Sequence, residues 1–366
     1  MKAYHILGVM SGSSLDAIDF ALVRFEVEGE SIAHWELLHT HSEPLSPEWK
    51  TRLAHLPDAH LDAFMQADAE LGRLIGTQCR AFLDKCGIVP DAIASHGHTI
   101  LHHPGEGYTV QIGNPSFIAL EAGCDVVSDF RSNDIAAGGQ GAPLAPVAER
   151  YLFPGHDFYV NLGGIVNLSS FPKQGDVRAW DIAPANQLLN FLARKVGQPY
   201  DNGGMLARNG HSHEDLVRLL QVPLPLPLYQ AFSLDNSWIQ EKYVPLLEHS
   251  GEIIADKLAS VTEFIARSIA AQIDGLYTRS ADMQLFISGG GAHNTYLIER
   301  ITDRIAPVRL VVPERVIIDF KEAMLMALCG MLRLLNKPNA FASVTGAKYS
   351  TVNGRITSAR RMLKDN

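Results

Sequence analysis

The sequence predicts an α/β protein with two related lobes, and three observations support this fold class. The chain has 366 residues, more than the roughly 150 that are usual for one domain. Hydrophobic residues make up 46% of it, which is enough for two sizeable cores. Two regions, 4–25 and 158–171, each predict a hairpin around a Gly- or Ser-rich turn, and alternating strands and helices follow both. We expect the boundary near residues 140–155, where the pattern restarts.

In the first lobe, apolar runs at residues 4–10 and 18–25 flank a turn-rich stretch at 11–16, which is typical of a β-hairpin. Apolar residues recur at helical spacing over 53–86, and Pro90 ends this pattern. Short apolar runs predict further strands at residues 92–95, 109–112 and 126–129.

The second lobe begins after a glycine-rich segment at residues 136–143. Strands are predicted at 158–161 and 165–171, with Gly163-Gly164 as the turn between them. A further strand at 284–288 leads into three consecutive glycines. Helical spacing predicts helices at residues 187–196, 253–273 and 323–335.

Charge and hydropathy exclude some classes of partner. The net charge of −9 disfavours nucleic acid or an anionic membrane as the main partner. No signal-peptide core can form before Gly8. The longest apolar stretch, 323–335, contains Gly330 and Arg333 and falls short of the roughly 20 residues that span a bilayer. We therefore expect a cytoplasmic protein that binds small molecules.

Three turns of small residues each follow an apolar strand: Ser11-Gly12-Ser13-Ser14, Gly163-Gly164 and Gly289-Gly290-Gly291. Small residues let backbone N–H groups approach a phosphate closely. Any one of these turns alone is explained as well by a tight structural turn, but three in two lobes favour a nucleotide cleft. The P-loop, dinucleotide and serine-hydrolase motifs are absent from the sequence.

Several polar side chains are candidates for the chemistry. Asp181 follows an apolar run and precedes a predicted helix, so it is either a carboxylate held at a cleft or the N-cap of that helix. Arg131 can clamp an anionic group or pair with Asp129 or Asp134. Other candidate bases are Asp16, Asp19, Asp129, Asp134 and Asp201. A histidine cluster comprises His96, His98, His102 and His103. For these histidines, substrate binding or packing is favoured over zinc binding.

Eight segments together resemble one family, the anhydro-N-acetylmuramic acid kinases of the actin-like, sugar kinase and Hsp70 superfamily. They are GVMSGSSLDAIDFAL from Gly8, SHGHTILHHP from Ser95, QIGNPSFIA from Gln111, DFRSNDIAAGGQGAPLAP from Asp129, NLGGIVNL from Asn161, YDNGGMLARNG from Tyr200, SGGGAHN from Ser288 and KEAM from Lys321. The resemblance implies an actin-like ATPase fold of duplicated ribonuclease H-like domains with an interlobe nucleotide cleft. The implied lobes are 1–145 and 146–366, with residues 341–366 packing back on the first lobe.

The resemblance also implies a reaction and its site residues. ATP with Mg²⁺ phosphorylates O6 of an anhydro amino sugar while water opens the 1,6-anhydro bridge, giving N-acetylmuramic acid 6-phosphate in cell-wall recycling. Asp181 is the implied catalytic base, and the metal ligands stay unassigned. The implied ATP contacts are Gly12, Ser13, Ser14, Leu15, Asp16, Ala17, Ile18, Asp19, Gly163, Gly164, Gly289, Gly290 and Gly291. The implied sugar contacts are His98, Arg131, Gln140, Asn186 and Glu322.

The sequence departs from the family pattern near both ligands. Ser13 replaces Thr, Ala17 replaces Gly, and His98 replaces Gln. The segment DIAPAN from Asp181 replaces DTGPGN, so we expect its added methyl groups to narrow the sugar site. Two alternatives stay open at this point: a related kinase for a different anhydro or amino sugar, and a non-kinase ATP-binding protein of the same fold. The sequence leaves the oligomeric state open, with a homodimer as a candidate.

Overall fold

In a computed structural model of the protein, the structure describes residues 1–12, 15–172, 176–224, 234 and 236–359. It divides into two compact units. The first comprises Met1–Pro154 with Phe320–Asn366, and the second comprises Gly155–Asp319. Each unit has its own sheet and its own apolar core.

The described residues form strands and helices as follows. The strands are β1 (Lys2–Ser11), β2 (Ala17–Glu28), β3 (Ser31–Pro44), β4 (Ala92–Ser95), β5 (His98–His103), β6 (Tyr108–Ile112), β7 (Val126–Ser128), β8 (Phe158–Leu162), β9 (Ile165–Ser170), β10 (Arg178–Pro184), β11 (Gln284–Ser288), β12 (Arg309–Val311) and β13 (Arg355–Thr357). The α-helices are α1 (Pro47–His55), α2 (Leu61–Cys86), α3 (Pro115–Ala122), α4 (Ser132–Ala136), α5 (Ala145–Tyr151), α6 (Asn186–Arg194), α7 (Met205–Arg208), α8 (Glu214–Gln221), α9 (Asn236–His249), α10 (Ile254–Leu276), α11 (Thr295–Ile305), α12 (Arg315–Leu334) and α13 (Ala342–Thr345).

The sheet of the first unit has the strand order β3-β2-β1-β4-β7-β13. β1, β2 and β3 form an antiparallel meander, while β4 runs parallel to β1 and β7 runs parallel to β4. Leu7, Phe20 and Ile93 from this sheet are fully buried and pack in one cluster with Leu71 and Ile75 of α2. In place of the predicted long helix at 53–86, the structure has two helices, α1 and α2, joined by a short 3₁₀ turn.

The sheet of the second unit repeats this topology. Its order is β10-β9-β8-β11-β12, with an antiparallel meander of β8, β9 and β10 followed by β11 parallel to β8 and β12 parallel to β11. β8 thus corresponds to β1, and β11 corresponds to β4. Apart from β13, which the first sheet has in addition, the two sheets share strand order and strand directions, and this confirms the predicted duplicated ribonuclease H-like fold.

This correspondence identifies equivalent positions in the two units. The turn after β1 matches Gly163-Gly164 after β8, and the segment His96–Gly97 after β4 matches the glycines after β11. All four segments follow the carboxyl end of a central strand, where α/β proteins usually bind ligands. The glycine turns therefore lie at strand ends, and their contact with phosphates stays a prediction.

The division between the units differs from the predicted lobes, 1–145 and 146–366. The first unit extends through Pro154 and resumes at Phe320 rather than near residue 341. α5 belongs to the first unit, and just after this helix the Leu152 carbonyl accepts a hydrogen bond of 3.1 Å from Trp35 Nε1. The Nζ of Lys321 on α12 also lies 3.5 Å from Glu149 Oε1 on α5.

α12 packs directly against the backbone of β1 in the first unit. A Cβ atom at Gly8 would overlap the carbonyl oxygen of Ala323 and lie 2.7 Å from the Ala327 amide nitrogen. At Gly330, a Cβ would lie 2.6 Å from the Cβ of Ala94. Glycine at these contacts lets the helix approach the sheet closely.

Among the described residues, no helix is both long enough and apolar enough to cross a membrane.

Candidate active site

The turn after β1 connects to the histidine segment of the first unit. Ser11 is buried, and its Oγ lies 3.0 Å from Nδ1 of His98. The backbone N–H of Leu15 donates to the Gly12 carbonyl at 3.2 Å, and Leu15 adopts a positive φ of 57°. Such a φ is uncommon for a residue with a side chain, so the backbone at Leu15 is tightly constrained. The predicted contacts Ser13 and Ser14 lie outside the described residues.

The rest of the predicted ATP loop enters β2. Ala17 and Ile18 are the first residues of that strand, and the Ile18 side chain belongs to the core. Asp19 pairs with Met10 of β1 and accepts a hydrogen bond of 2.6 Å from Ser42 Oγ. Asp16 stays exposed, with Lys50 Nζ 4.0 Å from its carboxylate. Asp16 and Asp19 thus present two carboxylates beside the turn.

Arg131 is fixed by two neutral acceptors. Its Nε donates to Nε2 of His96 at 3.0 Å, and its Nη1 donates to the carbonyl oxygen of Gly141 at 2.7 Å. Burial lowers the pKa of the Arg131 guanidinium, and Glu322 acts in the opposite direction. An arginine pKa starts so high that the group stays charged.

Neither aspartate considered as a partner of Arg131 pairs with it. Asp129 Oδ2 forms an ion pair of 3.0 Å with Arg355 Nε. Asp134 is fully buried and accepts hydrogen bonds of 2.8 Å from the Gly141 N–H and from Thr345 Oγ1. The predicted alternative of an Arg131 ion pair with Asp129 or Asp134 is therefore wrong.

The glycine-rich segment folds around the Asp134 carboxylate. Gly139 has no room for a side chain because a Cβ there would overlap Asp134 Oδ2. The next residue, Gln140, is exposed, and its backbone N–H donates to the Thr345 carbonyl at 2.8 Å. Asp134 and Thr345 therefore hold the backbone of this loop while the Gln140 side chain reaches solvent.

Glu322 lies on α12 of the first unit with its side chain open to solvent. Partial removal of water by the surrounding protein raises the pKa of its carboxyl, and Asp19 adds to this effect. Lys321 and Arg131 lower the pKa of the same carboxyl. Glu322, Asp19 and Arg131 are thus close enough in this unit to influence one another electrostatically.

The side chains of the histidine cluster make separate contacts. Nδ1 of His102 lies 3.0 Å from Thr109 Oγ1, His103 packs against Tyr108, and His98 contacts Ser11. No group of three or more His, Cys, Asp or Glu side chains that could hold a metal occurs in the part of the chain that the structure describes. Burial lowers the pKa of His98, so the neutral imidazole is favoured.

In the second unit, Asp181 lies on β10, four residues before the N-cap of α6. Its Oδ1 accepts from Asn167 Nδ2 at 3.0 Å and its Oδ2 accepts from the Leu234 N–H at 2.8 Å. The N-cap position of α6 is Ala185. The N-cap explanation for Asp181 is therefore wrong, and both carboxylate oxygens are held by neutral donors.

Asp181 ends a row of polar residues across three neighbouring strands. Asn161 of β8 is paired with Asn167 of β9, which is paired with Asp181 of β10. A β-bulge follows immediately, between Asp181 and Ala183, and bulges often redirect side chains at functional sites. Asp201, another candidate base, instead accepts the N–H groups that open α7.

The second unit places its glycine turns next to Asn186. The carbonyls of Gly163 and Gly164 accept the N–H groups at the start of α6, and Asn186 Nδ2 donates to the Leu162 carbonyl at 2.9 Å. Gly289 has a φ of 82°, and a Cβ there would lie 2.5 Å from Asn161 Oδ1. The strand ends, Asn186 and Gly289 to Gly291 therefore form one packed cluster, and Gly290 has open space at its Cβ position.

The three departures after Asp181 do not line a ligand site. Ile182, Ala183 and Ala185 are buried and belong to the apolar core of the second unit. Neither alanine has a positive φ, so their methyl groups cause no backbone strain of the left-handed kind. The expectation that these methyl groups narrow the sugar site is therefore corrected: they pack in the core.

Sequence reasoning missed three supporting contacts: that of His96 with Arg131, that of Asn167 with Asp181, and the closeness of Asn161 to Gly289. His96 was visible only as one member of the histidine cluster. Asn167 and Asp181 are 14 residues apart, and only the pairing of β9 with β10 brings them together. Strand register, which short motifs do not encode, is the missing signal.

A duplicated ribonuclease H-like fold with glycine turns at the ends of its central strands defines the actin-like class of ATP-binding proteins. A family model described as anhydro-N-acetylmuramic acid kinase matches residues 4–359. The chain belongs to this family of kinases.

Curated relatives agree with the family match. The chain is 33% identical to the anhydro-N-acetylmuramic acid kinase of Coxiella burnetii, covering 97% of this chain and 98% of that protein. It is 34% identical to the enzyme of the same name from Pasteurella multocida, covering 96% of each. A third relative of that name, from Nitrosomonas europaea, is 34% identical over 97% of this chain and all of that protein.

Proposed function

We propose that this protein opens 1,6-anhydro-N-acetylmuramic acid with water and phosphorylates O6 with ATP, giving N-acetylmuramic acid 6-phosphate for cell-wall recycling. The observation that carries the proposal is the Asp181 carboxylate, held by Asn167 and Leu234 in a chain of this family. We propose a cytoplasmic location, because the reaction needs ATP.

The proposed reaction consumes one water and one ATP for each anhydro sugar. A water oxygen bonds to the anomeric carbon, C1, while the C1–O6 bond breaks and leaves its electron pair on O6. One water proton stays on the new C1 hydroxyl, and the other passes to Asp181 and then to solvent. O6 bonds to the γ-phosphorus of ATP, whose bond to the bridging oxygen breaks, and ADP leaves.

Asp181 suits the role of general base. Each carboxylate oxygen accepts one hydrogen bond, and each can accept a second, so a lone pair stays available for water. The two donors fix the carboxylate without neutralising its charge. General-base catalysis typically contributes about 10²–10⁴ to the rate.

The turns of small residues are proposed to bind the phosphates of ATP, namely Gly12 to Asp19, Gly163-Gly164 and Gly289 to Gly291. Mg²⁺ keeps several waters and usually takes one or two carboxylates plus substrate phosphates. The exposed Asp16 and the neighbouring Asp19 fit that need. When bound, the metal would neutralise charge on the phosphates.

The proposed sugar contacts are His98, Arg131, Gln140, Asn186 and Glu322. Arg131 supplies a positive charge, and Gln140 supplies an exposed amide. His98 and Asn186 are each anchored by a hydrogen bond to a strand end or turn. Rigid polar groups of this kind orient a substrate, which contributes to catalysis by positioning.

The test is a phosphorylation assay with ATP, Mg²⁺ and a panel of sugars. We expect a sugar 6-phosphate from 1,6-anhydro-N-acetylmuramic acid, and slower or no reaction with free N-acetylmuramic acid and with N-acetylglucosamine. A clear preference for another anhydro or amino sugar would mean that this other sugar is the substrate. Absence of any sugar phosphate at high enzyme concentration would contradict the proposal.

A further inference from the structure

Arg131 keeps several hydrogen-bond donors for a ligand. A guanidinium has five N–H donors, and the residues that the structure describes accept from two of them, one on Nε and one on Nη1. Five minus two leaves three donors, two of them on Nη2. Within the described ranges, no carboxylate lies within 4.0 Å of the guanidinium, and Asp129 pairs with Arg355. A partly buried cation arranged in this way is suited to bind an anion.

His96 is the neutral acceptor that orients this cation. Its Nδ1 lies 3.0 Å from the Gly97 carbonyl oxygen, which can only accept, so Nδ1 carries the proton and Nε2 keeps a lone pair for Arg131. Burial, helped by the charge of Arg131, lowers the pKa of His96 to about 3. The backbone N–H of His96 donates to the Val9 carbonyl at 3.0 Å, which fixes the residue to the end of β1.

Because His96 is a neutral acceptor, the positive charge of Arg131 is kept. A carboxylate at the position of His96 would pair with Arg131 and cancel the charge that attracts an anion. An imidazole and a backbone carbonyl instead hold the guanidinium without neutralising it. Holding the side chain in advance also reduces the conformational entropy that binding would otherwise cost.

We propose that His96 is a positioning residue that holds Arg131 for a carboxylate of the sugar, so that the pair selects an acidic sugar over its neutral counterpart. The identity of the sugar rests on the proposed function. N-acetylmuramic acid carries a lactyl ether on O3 that ends in a carboxylate, and N-acetylglucosamine has a hydroxyl there. The remaining donors on Nη1 and Nη2 are suited to a two-point contact with that carboxylate.

The experiment compares the binding of two sugars by calorimetry, using the full chain. The sugars are 1,6-anhydro-N-acetylmuramic acid and 1,6-anhydro-N-acetylglucosamine, and the readout is the ratio of their Kd values. We expect the wild type to favour the acidic sugar by about tenfold or more, in line with a hydrogen bond to a charged group. Arg131→Met and His96→Phe should each reduce this ratio by about tenfold, with affinity for the neutral sugar nearly unchanged.

Two further variants distinguish the loss of Arg131 positioning from a general loss of structure. His96→Gln can place its Oε1 near the position of Nε2, so it should recover most of the selectivity. His156→Phe is the matched control, because His156 packs against aromatic rings in the second unit, and it should leave the ratio unchanged. In the kinase assay, His96→Phe should raise KM for the acidic sugar with little change in kcat.

An equal Kd ratio in the wild type and Arg131→Met would overturn the proposal. So would an unchanged ratio in His96→Phe. If His96→Phe does not fold, an Arg131→Lys variant that keeps full selectivity would also overturn it, since lysine cannot make the two-point contact. The binding ratio is independent of turnover. Failure of the proposed function would instead show as bound sugar that is never phosphorylated by the wild type.

Discussion

Replacing Asp181 by asparagine is expected to lower turnover about a hundredfold or more while the chain stays folded. The amide cannot take a proton from water at neutral pH, so the proposed general base is lost. The fold should survive because Asn167 can turn its amide over and accept from the new NH₂ group. The measurement is kcat with saturating ATP and 1,6-anhydro-N-acetylmuramic acid, with nucleotide binding as a check of integrity.

The matched control for this substitution is Asp157→Asn in the same unit. The Asp157 carboxylate also accepts a hydrogen bond from a backbone N–H, that of Gln284, at 2.8 Å. Asp157, however, lies at the opposite end of β8 and β11. Its turnover should stay within about twofold of the wild type, since a substitution away from the reacting atoms removes no interaction of the transition state. Near-normal turnover in Asp181→Asn would mean that another group removes the proton.

Replacing Lys321 by methionine is expected to reduce the free energy of unfolding by about 3–5 kcal/mol. Lys321 and Glu149 are both buried, and their charged atoms lie 3.5 Å apart between α12 and α5. Loss of the ammonium removes the cation that lies 3.5 Å from Glu149 Oε1, in a site with little water. Urea unfolding, compared through the midpoint and the m-value, measures the change.

Two comparisons test that explanation. The double variant Lys321→Met with Glu149→Leu should recover most of the lost stability, because replacing a whole buried ion pair with apolar side chains is often neutral. Lys337→Met breaks a surface pair with Glu30 and should cost less than about 1 kcal/mol. If Lys321→Met were as mild as Lys337→Met, the buried pair would not stabilise the contact of α12 with α5.

Hydrophobic patterning predicts the central strands but misses an edge strand. β1, β8 and β11 are largely buried, so their apolar runs are visible in the sequence. β3 is the opposite case. It forms the outer strand of the first sheet, and none of its 14 residues is buried, so polar side chains occur on both of its faces and no period of two appears.

The candidate site is predictable only where one segment carries the signal. Asp181 and the glycine turns stand at strand ends that can be recognised locally. The partners of those residues cannot be recognised in this way, because His96 and Arg131 are 35 residues apart and Asp134 and Thr345 are 211 residues apart. The burial of Ala183 and Ala185 also depends on packing, and a comparison of motifs cannot reveal it.

The most direct test of the proposed reaction is a single turnover in water enriched in ¹⁸O, with the product reduced immediately to prevent exchange at C1. Attack of water on C1 and transfer of the phosphoryl group to O6 predict one ¹⁸O atom on C1 of N-acetylmuramic acid 6-phosphate and none in its phosphate. A product without label on C1, or label that appears only in released inorganic phosphate, would contradict the coupled opening and phosphorylation of the anhydro sugar.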